Sequence, residues 1–181
     1  MTEDLRDAVT LPVIIADYDP DWPQAFEQEH KRIDGALANV AGVTGVEHVG
    51  STAVPGLAAK PTIDIMIGAR KLADGEQCVE PLVGLGYEYL GEGGIPGRLY
   101  FRRGTPRSHQ IHLVKHGSQF WEHLLLFRDL LRERADLRDE YVALKRELAE
   151  RYGTDREGYA EAKTSFIQPA LAQGREQRPP P

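Results

Sequence analysis

The sequence predicts an α/β (α+β) protein in which an α/β part is followed by a helical C-terminal third. Turn-forming residues divide the chain up to Gly117 into short strands and helices. Ile63, Ile65 and Ile67 alternate with polar residues and Met66, which is the pattern of a strand. After Gly117 the apolar residues follow a helical period instead.

The α/β part is predicted from local signals taken in order. Asp21 and Pro23 mark a helix start, and the strand before Gly50 runs into a glycine-rich loop. The turn at 104–108 indicates a hairpin. We predict strands at 11–16, 46–49, 62–67, 87–90, 99–103 and 110–115, and helices at 25–40 and 72–85.

The C-terminal third is predicted to hold three helices. Ser118 is a suitable cap for the first, whose apolar residues are Phe120, Leu124, Phe127 and Leu131. A second helix at 136–152 ends at Gly153, and Thr154 or Asp155 caps a third that reaches residue 171.

A chain of 181 residues has the length of one domain. We predict a single domain at 11–172, made of an α/β core at 11–117 and a helical part at 118–172. Residues 1–10 and 173–181 are predicted to be flexible, since the first are polar and the last end in three prolines.

Composition excludes several classes of function. The net charge of −6 argues against a long nucleic acid or an anionic membrane as the partner. No uncharged apolar stretch is long enough for a membrane helix. Cys78 is the one cysteine, so the chain forms no internal disulfide and no thiolate zinc site. We therefore expect a cytoplasmic protein.

Positive charge is concentrated at 95–117, where five cationic residues and no acidic ones give a local charge of +5. A cationic surface on an acidic protein suits a compact anion, such as a nucleotide or a phosphorylated small molecule. The alternative is an edge hairpin that charge keeps from aggregating. The cationic residues are Arg98, Arg102, Arg103, Arg107 and Lys115.

Two features of the strands indicate a phosphate site. Gly50 and Ser51 directly follow a strand, where a glycine lets a phosphate approach the backbone, although an ordinary turn has the same pattern. Asp64 interrupts a strand of isoleucines and faces either solvent or a functional cleft. His112 and His109 have opposite parity on their strand, which argues against a two-histidine metal pair.

Six segments in the same order resemble the GrpB family, which is placed in the nucleotidyltransferase superfamily. The resemblance implies a nucleotidyltransferase-like mixed sheet flanked by helices. The longest segment is Glu-His-Val-Gly-Ser-Thr-Ala-Val-Pro-Gly-Leu-Ala-Ala-Lys-Pro-Thr-Ile-Asp-Ile at 47–65. The other five lie at 18–23, 94–101, 109–114, 123–132 and 161–167.

The interpretation as a nucleotide-dependent transferase or nucleotide-binding protein assigns roles to individual residues, of which the resemblance implies those of Gly50, Ser51 and Asp64. Asp64 and His112 would be catalytic, and Asp64, His48 and His112 would hold a divalent metal, Mg²⁺ or Mn²⁺. The residues expected to bind a nucleoside triphosphate are Gly50, Ser51, Lys60, Arg98 and Lys163.

The sequence departs from the superfamily pattern of two carboxylates one residue apart and a third on a later strand. Thr62 stands in place of the second carboxylate and His112 in place of the third. We therefore expect a protein that binds a nucleotide or a phosphorylated small molecule with a divalent metal, and that could transfer a nucleotidyl group with an incomplete carboxylate triad. Two alternatives remain: a folding accessory of the kind fused to dephospho-CoA kinase, which would need a protein partner, and a metal-dependent phosphohydrolase.

Overall fold

A computed structural model of the chain describes residues 12–177. The strands are β1 (Val43–Val49), β2 (Ile63–Ala69), β3 (Glu88–Tyr89), β4 (Arg98–Arg103) and β5 (His109–Lys115). The helices are α1 (Trp22–Leu37), α2 (Leu72–Glu76), α3 (Val79–Gly84), α4 (Gln119–Glu133), α5 (Ala135–Tyr152), α6 (Arg156–Ala162) and α7 (Thr164–Gln177). A short 3₁₀ helix, Ser51–Ala53, follows β1.

The five strands form one mixed sheet in the order β1-β2-β5-β4-β3. β2 and β5 are parallel, and the other neighbouring pairs are antiparallel. Asp64 is in register with Gln110, and Met66 with His112. These four residues therefore share one face of the sheet.

The two faces of the sheet carry different helices. Ile63, Ile65 and Ile67 pack against α1 and α3 in the largest apolar cluster. On the other face, Met66 packs against Trp121 at the start of α4. Asp64 and His112 thus lie on the side covered by the C-terminal helices.

The C-terminal helices are joined to the sheet through a second apolar cluster. Leu131 of α4 and Tyr141 of α5 pack with Leu57 from the loop before β2. The Ser118 side chain caps α4 by accepting from the Trp121 backbone N–H at 3.4 Å. The predicted α/β part followed by a helical third is confirmed. None of the helices within residues 12–177 combines the length and apolar character needed to cross a bilayer.

The predicted strand at 11–16 is wrong over the described residues 12–16. Its backbone is divided between two partners: Ala16 bridges Ala59, and the Val13 N–H donates to the Gly153 carbonyl at 2.9 Å. A segment that changes partner after three residues cannot form a regular ladder.

The predicted helix at 72–85 is two short helices, α2 and α3. Pro81 is the reason, because proline has no N–H and its ring clashes with the carbonyl four residues earlier. A continuous helix would place that clash at Gln77. Pro81 instead lies in the first turn of α3, where no such hydrogen bond is required.

The last predicted helix is also divided, into α6 and α7, with Lys163 between them. α7 continues through Gln177, so the predicted boundary of the flexible tail at residue 173 lies inside this helix. Gly174 is buried, and a side chain there would collide with Leu130, so this end of α7 packs tightly on α4. Residues 1–10 and 178–181 lie outside the described residues.

Candidate functional site

A cavity of about 210 Å³ lies between the sheet and the C-terminal helices, and we call it the Asp64 cavity. Its lining includes six of the residues singled out in the sequence: Gly50, Ser51, Lys60, Asp64, His112 and Lys163. It also includes Gln110, Arg128, Tyr141, Lys145 and Tyr159, which the sequence did not indicate. One wall is apolar and consists of Leu124, Phe127, Leu131 and Ile167.

Gly50 is required where it stands. Its φ of 71° is in the left-handed region, which other residues rarely adopt. A Cβ at this position would lie 2.4 Å from Oδ2 of Asp64. The glycine therefore lets the backbone after β1 pass directly over the carboxylate.

The Asp64 carboxylate is fixed by its neighbours on β5. The Gln110 side-chain amide donates to Oδ1, and Nε2 of His112 lies 3.6 Å from the same oxygen. Burial alone would raise the pKa of Asp64, but His112, Gln110 and the charge of Lys60 together lower it. Asp64 is thus a carboxylate at neutral pH.

His112 is held from behind by Arg98. Nη1 of Arg98 lies 3.2 Å from Nδ1 of His112, and a guanidinium can only donate. Nδ1 must therefore accept, and we assign the proton of the neutral ring to Nε2, which faces Asp64. Arg98 acts here as a positioning residue.

Three lysines from three segments converge on the Asp64 cavity. Lys60 and Lys163 lie over the ring of Tyr159, with their Nζ atoms 5.5 and 4.6 Å from its centroid. Lys145 comes from α5, and its Nζ lies 3.2 Å from Oγ of Ser51 and also donates to the Ala58 carbonyl. Within residues 12–177, none of these amines forms an ion pair with a carboxylate.

Burial makes these ammonium groups unfavourable. Burial, together with nearby cations, lowers the pKa of Lys145 to about 7 and that of Lys163 to about 8. The pKa of Lys60 is also lowered, chiefly by burial. An anion in the cavity would supply the negative charge that these groups lack.

His48 is not in the Asp64 cavity, so its predicted role as a metal ligand beside Asp64 is wrong. It pairs with Ile65 across β1 and β2, which directs it to the opposite face of the sheet from Asp64. There its ring stacks on Phe26 at 4.6 Å, and Nε2 contacts Oγ1 of Thr52 at 3.0 Å. Burial lowers the pKa of His48 to about 4, so this ring is neutral.

Arg98 is also outside the Asp64 cavity, which corrects its predicted role in binding phosphate. It is 6% exposed, and its guanidinium donates to the carbonyls of Glu92 and Gly93 at 3.1 and 2.6 Å. It lines a separate cavity on the far side of His112.

The structure contradicts one of the two interpretations of the cationic segment at 95–117, that of an edge hairpin. β4 and β5 lie inside the sheet order, so they are not an edge hairpin. Three of the arginines have local partners: Arg102 pairs with Glu88 at 2.7 Å, Arg103 with Glu29 at 2.7 Å, and Arg107 donates to the Tyr100 hydroxyl at 3.0 Å. The lysines that line the Asp64 cavity come from outside this segment.

The donor set does not fit the metal site that the resemblance implies. A histidine that binds a metal usually donates its other N–H to an acceptor, whereas Nδ1 of His112 faces the donor Arg98. Thr62 offers a hydroxyl in place of a second carboxylate and donates to the Arg107 carbonyl at 3.2 Å. Residues 12–177 bring together no group of three acidic, histidine or cysteine side chains suited to a metal. Asp64 is therefore the one carboxylate among the residues that line the cavity, and the lysines and the arginine there are cationic side chains.

Lys145 lines the Asp64 cavity but was not among the site residues predicted from the sequence. Leu137, Tyr141 and Leu148 are buried on α5, and Lys145 lies on the same stripe at helical spacing from Tyr141 and Leu148. A lysine on the apolar stripe of an amphipathic helix is a signal available in the sequence. Gln110 could have been found from its parity with His112.

Comparison with known proteins supports the family assignment. The model of the GrpB protein family matches residues 12–173. A UPF0157 protein of Pseudomonas aeruginosa is 43% identical over 154 residues, which cover 82% of this chain and 62% of that protein. The dephospho-CoA kinase of Mycolicibacterium paratuberculosis is 30% identical over 191 residues, which cover 91% of this chain and 46% of the kinase. This chain thus spans about half to two thirds of the length of these two relatives.

Solved structures agree in fold. The GrpB protein of Enterococcus faecalis has a TM-score of 0.81 at 33% identity, covering 91% of this chain and 98% of that one. The Cid1 poly(U) polymerase has a TM-score of 0.53 at 12% identity, covering 82% of this chain and 47% of Cid1. The second likeness confirms the nucleotidyltransferase-like fold and nothing finer. With most of its length matched by the family model and a GrpB structure, the chain belongs to the GrpB family.

Proposed function

We propose that this protein binds the phosphate groups of a nucleotide, or of a similar phosphorylated small molecule, in the Asp64 cavity. The observation that carries the proposal is the convergence of Lys60, Lys145 and Lys163 on a cavity with one carboxylate. Buried charges are normally paired, and here the cations outnumber the anion. A phosphate group supplies several acceptor oxygens and the missing negative charge.

The lining favours a phosphorylated organic molecule over free phosphate. Nζ of Lys145 lies 3.2 Å from Oγ of Ser51, and the lining also includes the apolar side chains of Leu124, Phe127 and Ile167. Ligand sites commonly combine a few charged groups with apolar surface, and each part here has a counterpart in a nucleotide. The volume of about 210 Å³ suits a phosphate chain and part of a nucleoside.

The fold adds an independent argument. Cid1, which shares this fold, has been solved with MgATP, MgGTP and Mg 3′-dATP bound. A glycine and a serine after the first strand of this chain lie beside the lysines, where phosphates would bind. The proposal concerns binding. Metal-dependent transfer and hydrolysis are not part of it, because the donor set does not fit a metal.

Calorimetric titration with ATP, in EDTA and at low salt, tests this proposal. We expect binding that does not require a divalent metal and that weakens as salt increases. Lys163→Met should reduce the affinity at least about tenfold, which corresponds to one charged hydrogen bond. Lys31→Met, at an exposed position on α1, is the matched control and should bind as the wild type does.

Two results would contradict the proposal. Heat of binding that appears only with Mg²⁺ or Mn²⁺ would show that a metal is required. Equal affinity in the Lys163→Met and Lys31→Met variants would place the anion elsewhere.

A second candidate function is that of an accessory to dephospho-CoA kinase, which the relative from Mycolicibacterium paratuberculosis favours. An accessory would need apolar surface for its partner. The large exposed apolar residues within 12–177 are Ile14, Val83 and Tyr89, and none is on α4–α7. Val83→Lys and Tyr89→Lys should lower the soluble yield of a co-expressed kinase if this function holds, and an unchanged yield would count against it.

A further inference from the structure

Ser51 and Lys145 meet inside the Asp64 cavity although they are 94 positions apart in the chain. Nζ of Lys145 lies 3.2 Å from Oγ of Ser51, within hydrogen-bonding distance. Lys145 is 2% exposed, whereas Ser51 is only partly buried and faces the cavity. A ligand in the cavity can therefore reach the serine, with the amine behind it.

The surroundings of Lys145 favour a neutral amine. The ring of Tyr141, one turn earlier on α5, lies 4.7 Å from Nζ, and the Ala58 carbonyl accepts one of its N–H groups. The charged groups that act on it are Lys163 and Arg146, both cationic. Burial and these charges lower its pKa to about 7, so the neutral amine is well populated near neutral pH.

A neutral amine at this distance can accept the proton of a serine hydroxyl. In the charged form Nζ donates to both Oγ of Ser51 and the Ala58 carbonyl. In the neutral form one N–H can continue to donate to Ala58, and rotation of the amine can turn its lone pair toward Oγ. Serine is a weak nucleophile until an adjacent base removes its proton, and lysine serves as that base in some serine enzymes.

We propose that Ser51 is a nucleophile activated by Lys145, and that it forms a covalent bond to the phosphorus of a phosphoanhydride bound in the cavity. Oγ of Ser51 attacks phosphorus, and the bond from phosphorus to the bridging oxygen breaks. The bridging oxygen leaves with the electron pair, and the hydroxyl proton passes to Nζ of Lys145. Lys60 and Lys163 would stabilise the negative charge that develops on the phosphoryl oxygens.

This inference rests on the proposed function for its natural donor, a nucleoside triphosphate. The pair itself can be tested without that donor. An alkyl fluorophosphonate reacts with activated serines: an Oγ–P bond forms, the P–F bond breaks, and fluoride leaves. Trypsin then yields the peptide 33–70, in which Ser51 is the only serine.

We expect labelling of Ser51 at least about tenfold faster than that of Ser118 or Ser165, since general-base assistance is worth about a hundredfold or more. Lys145→Arg keeps a cation but cannot accept a proton, and it should lose the rapid labelling. In the wild type, the labelling rate should rise with pH through about 7, where Lys145 releases its proton. Because this pH profile is measured on the wild type, it tests the inference even if the Lys145→Arg protein does not fold.

Two outcomes would overturn the inference: no preferential labelling of Ser51, or a labelling rate that does not change between pH 6 and 8. If either occurs while ATP still binds in the calorimeter, the nucleophile is refuted and the proposed function stands. Incubation with ATP provides a second test, in which mass spectrometry should detect an adduct on the peptide 33–70 that Ser51→Ala abolishes.

Discussion

Replacing Lys145 by methionine should stabilise the protein, although it removes a buried polar contact. Burial lowers the pKa of Lys145 from 10.5 to about 7. At about 1.36 kcal/mol per unit, that shift represents roughly 5 kcal/mol of destabilisation near neutral pH. Loss of the hydrogen bond to the Ala58 carbonyl offsets about 1–3 kcal/mol of the gain. The net gain should be about 2–4 kcal/mol, or roughly 5–10 °C in Tm for a domain of this size.

The pH dependence of this gain identifies its origin. A lysine with a lowered pKa in the folded state destabilises fully below about pH 7, and the penalty decreases as pH rises towards 10.5. The difference in unfolding free energy between Lys145→Met and wild type should therefore narrow by about 2 kcal/mol from pH 7 to pH 9. Urea unfolding at both pH values measures it, with Lys31→Met as the control for an exposed lysine. A Lys145→Met protein less stable than wild type at pH 7 would show that the buried amine does not destabilise the fold.

Three further predictions concern the cavity and the sheet that positions it. Asp64→Asn removes the one carboxylate, so ATP should bind more tightly in calorimetry, whereas a site that depends on a metal held by Asp64 would lose its binding. Gly50→Ala forces a side chain into a positive φ and against Asp64, and should cost about 2 kcal/mol or more in urea unfolding. Arg103→Met breaks the paired contacts with Glu29, a carboxylate only 3% exposed, and should lower stability by about 3 kcal/mol. A loss below about 1 kcal/mol would show that Arg32 and the Tyr87 hydroxyl suffice as partners of Glu29.

The features that could be predicted from sequence are those governed by local periodicity. The alternation of isoleucines predicted β2, and the same rule placed Asp64 on the polar side of that strand. Parity also put Gln110 and His112 on one face of β5. The parallel pairing of β2 with β5, which brings Asp64 beside His112, is a matter of topology that periodicity does not contain.

The predicted site roles of His48 and Arg98 are wrong for two different physical reasons. His48 is two residues from Gly50, but the strand's alternation turns it to the opposite face from Val49 and Asp64. The predicted phosphate role of Arg98 depends on its charge and on its place in the family-like segment at 94–101. Its actual partners are backbone carbonyls in the preceding glycine-rich loop, and only the folded loop brings them within reach.

The lysine cluster shows why a cavity is harder to predict than an element. Lys60, Lys145 and Lys163 come from a loop, a helix and a junction between helices, so no local pattern relates them. Only Lys145 carries a sign of its own, as a charged residue on an apolar stripe. The position of Lys145 on the apolar stripe predicts that it is buried. Its partners, Ser51 and the Ala58 carbonyl, are known only from the folded structure.

The most direct test of the central claim is a crystal structure of the protein with a thiophosphate-containing nucleotide, prepared in EDTA. The anomalous signal of sulfur would locate the phosphate chain. We expect this signal in the Asp64 cavity, with phosphate oxygens within hydrogen-bonding distance of Lys60, Lys145 or Lys163. A nucleotide bound instead in the separate cavity lined by Arg98, with the Asp64 cavity filled only by water, would contradict it.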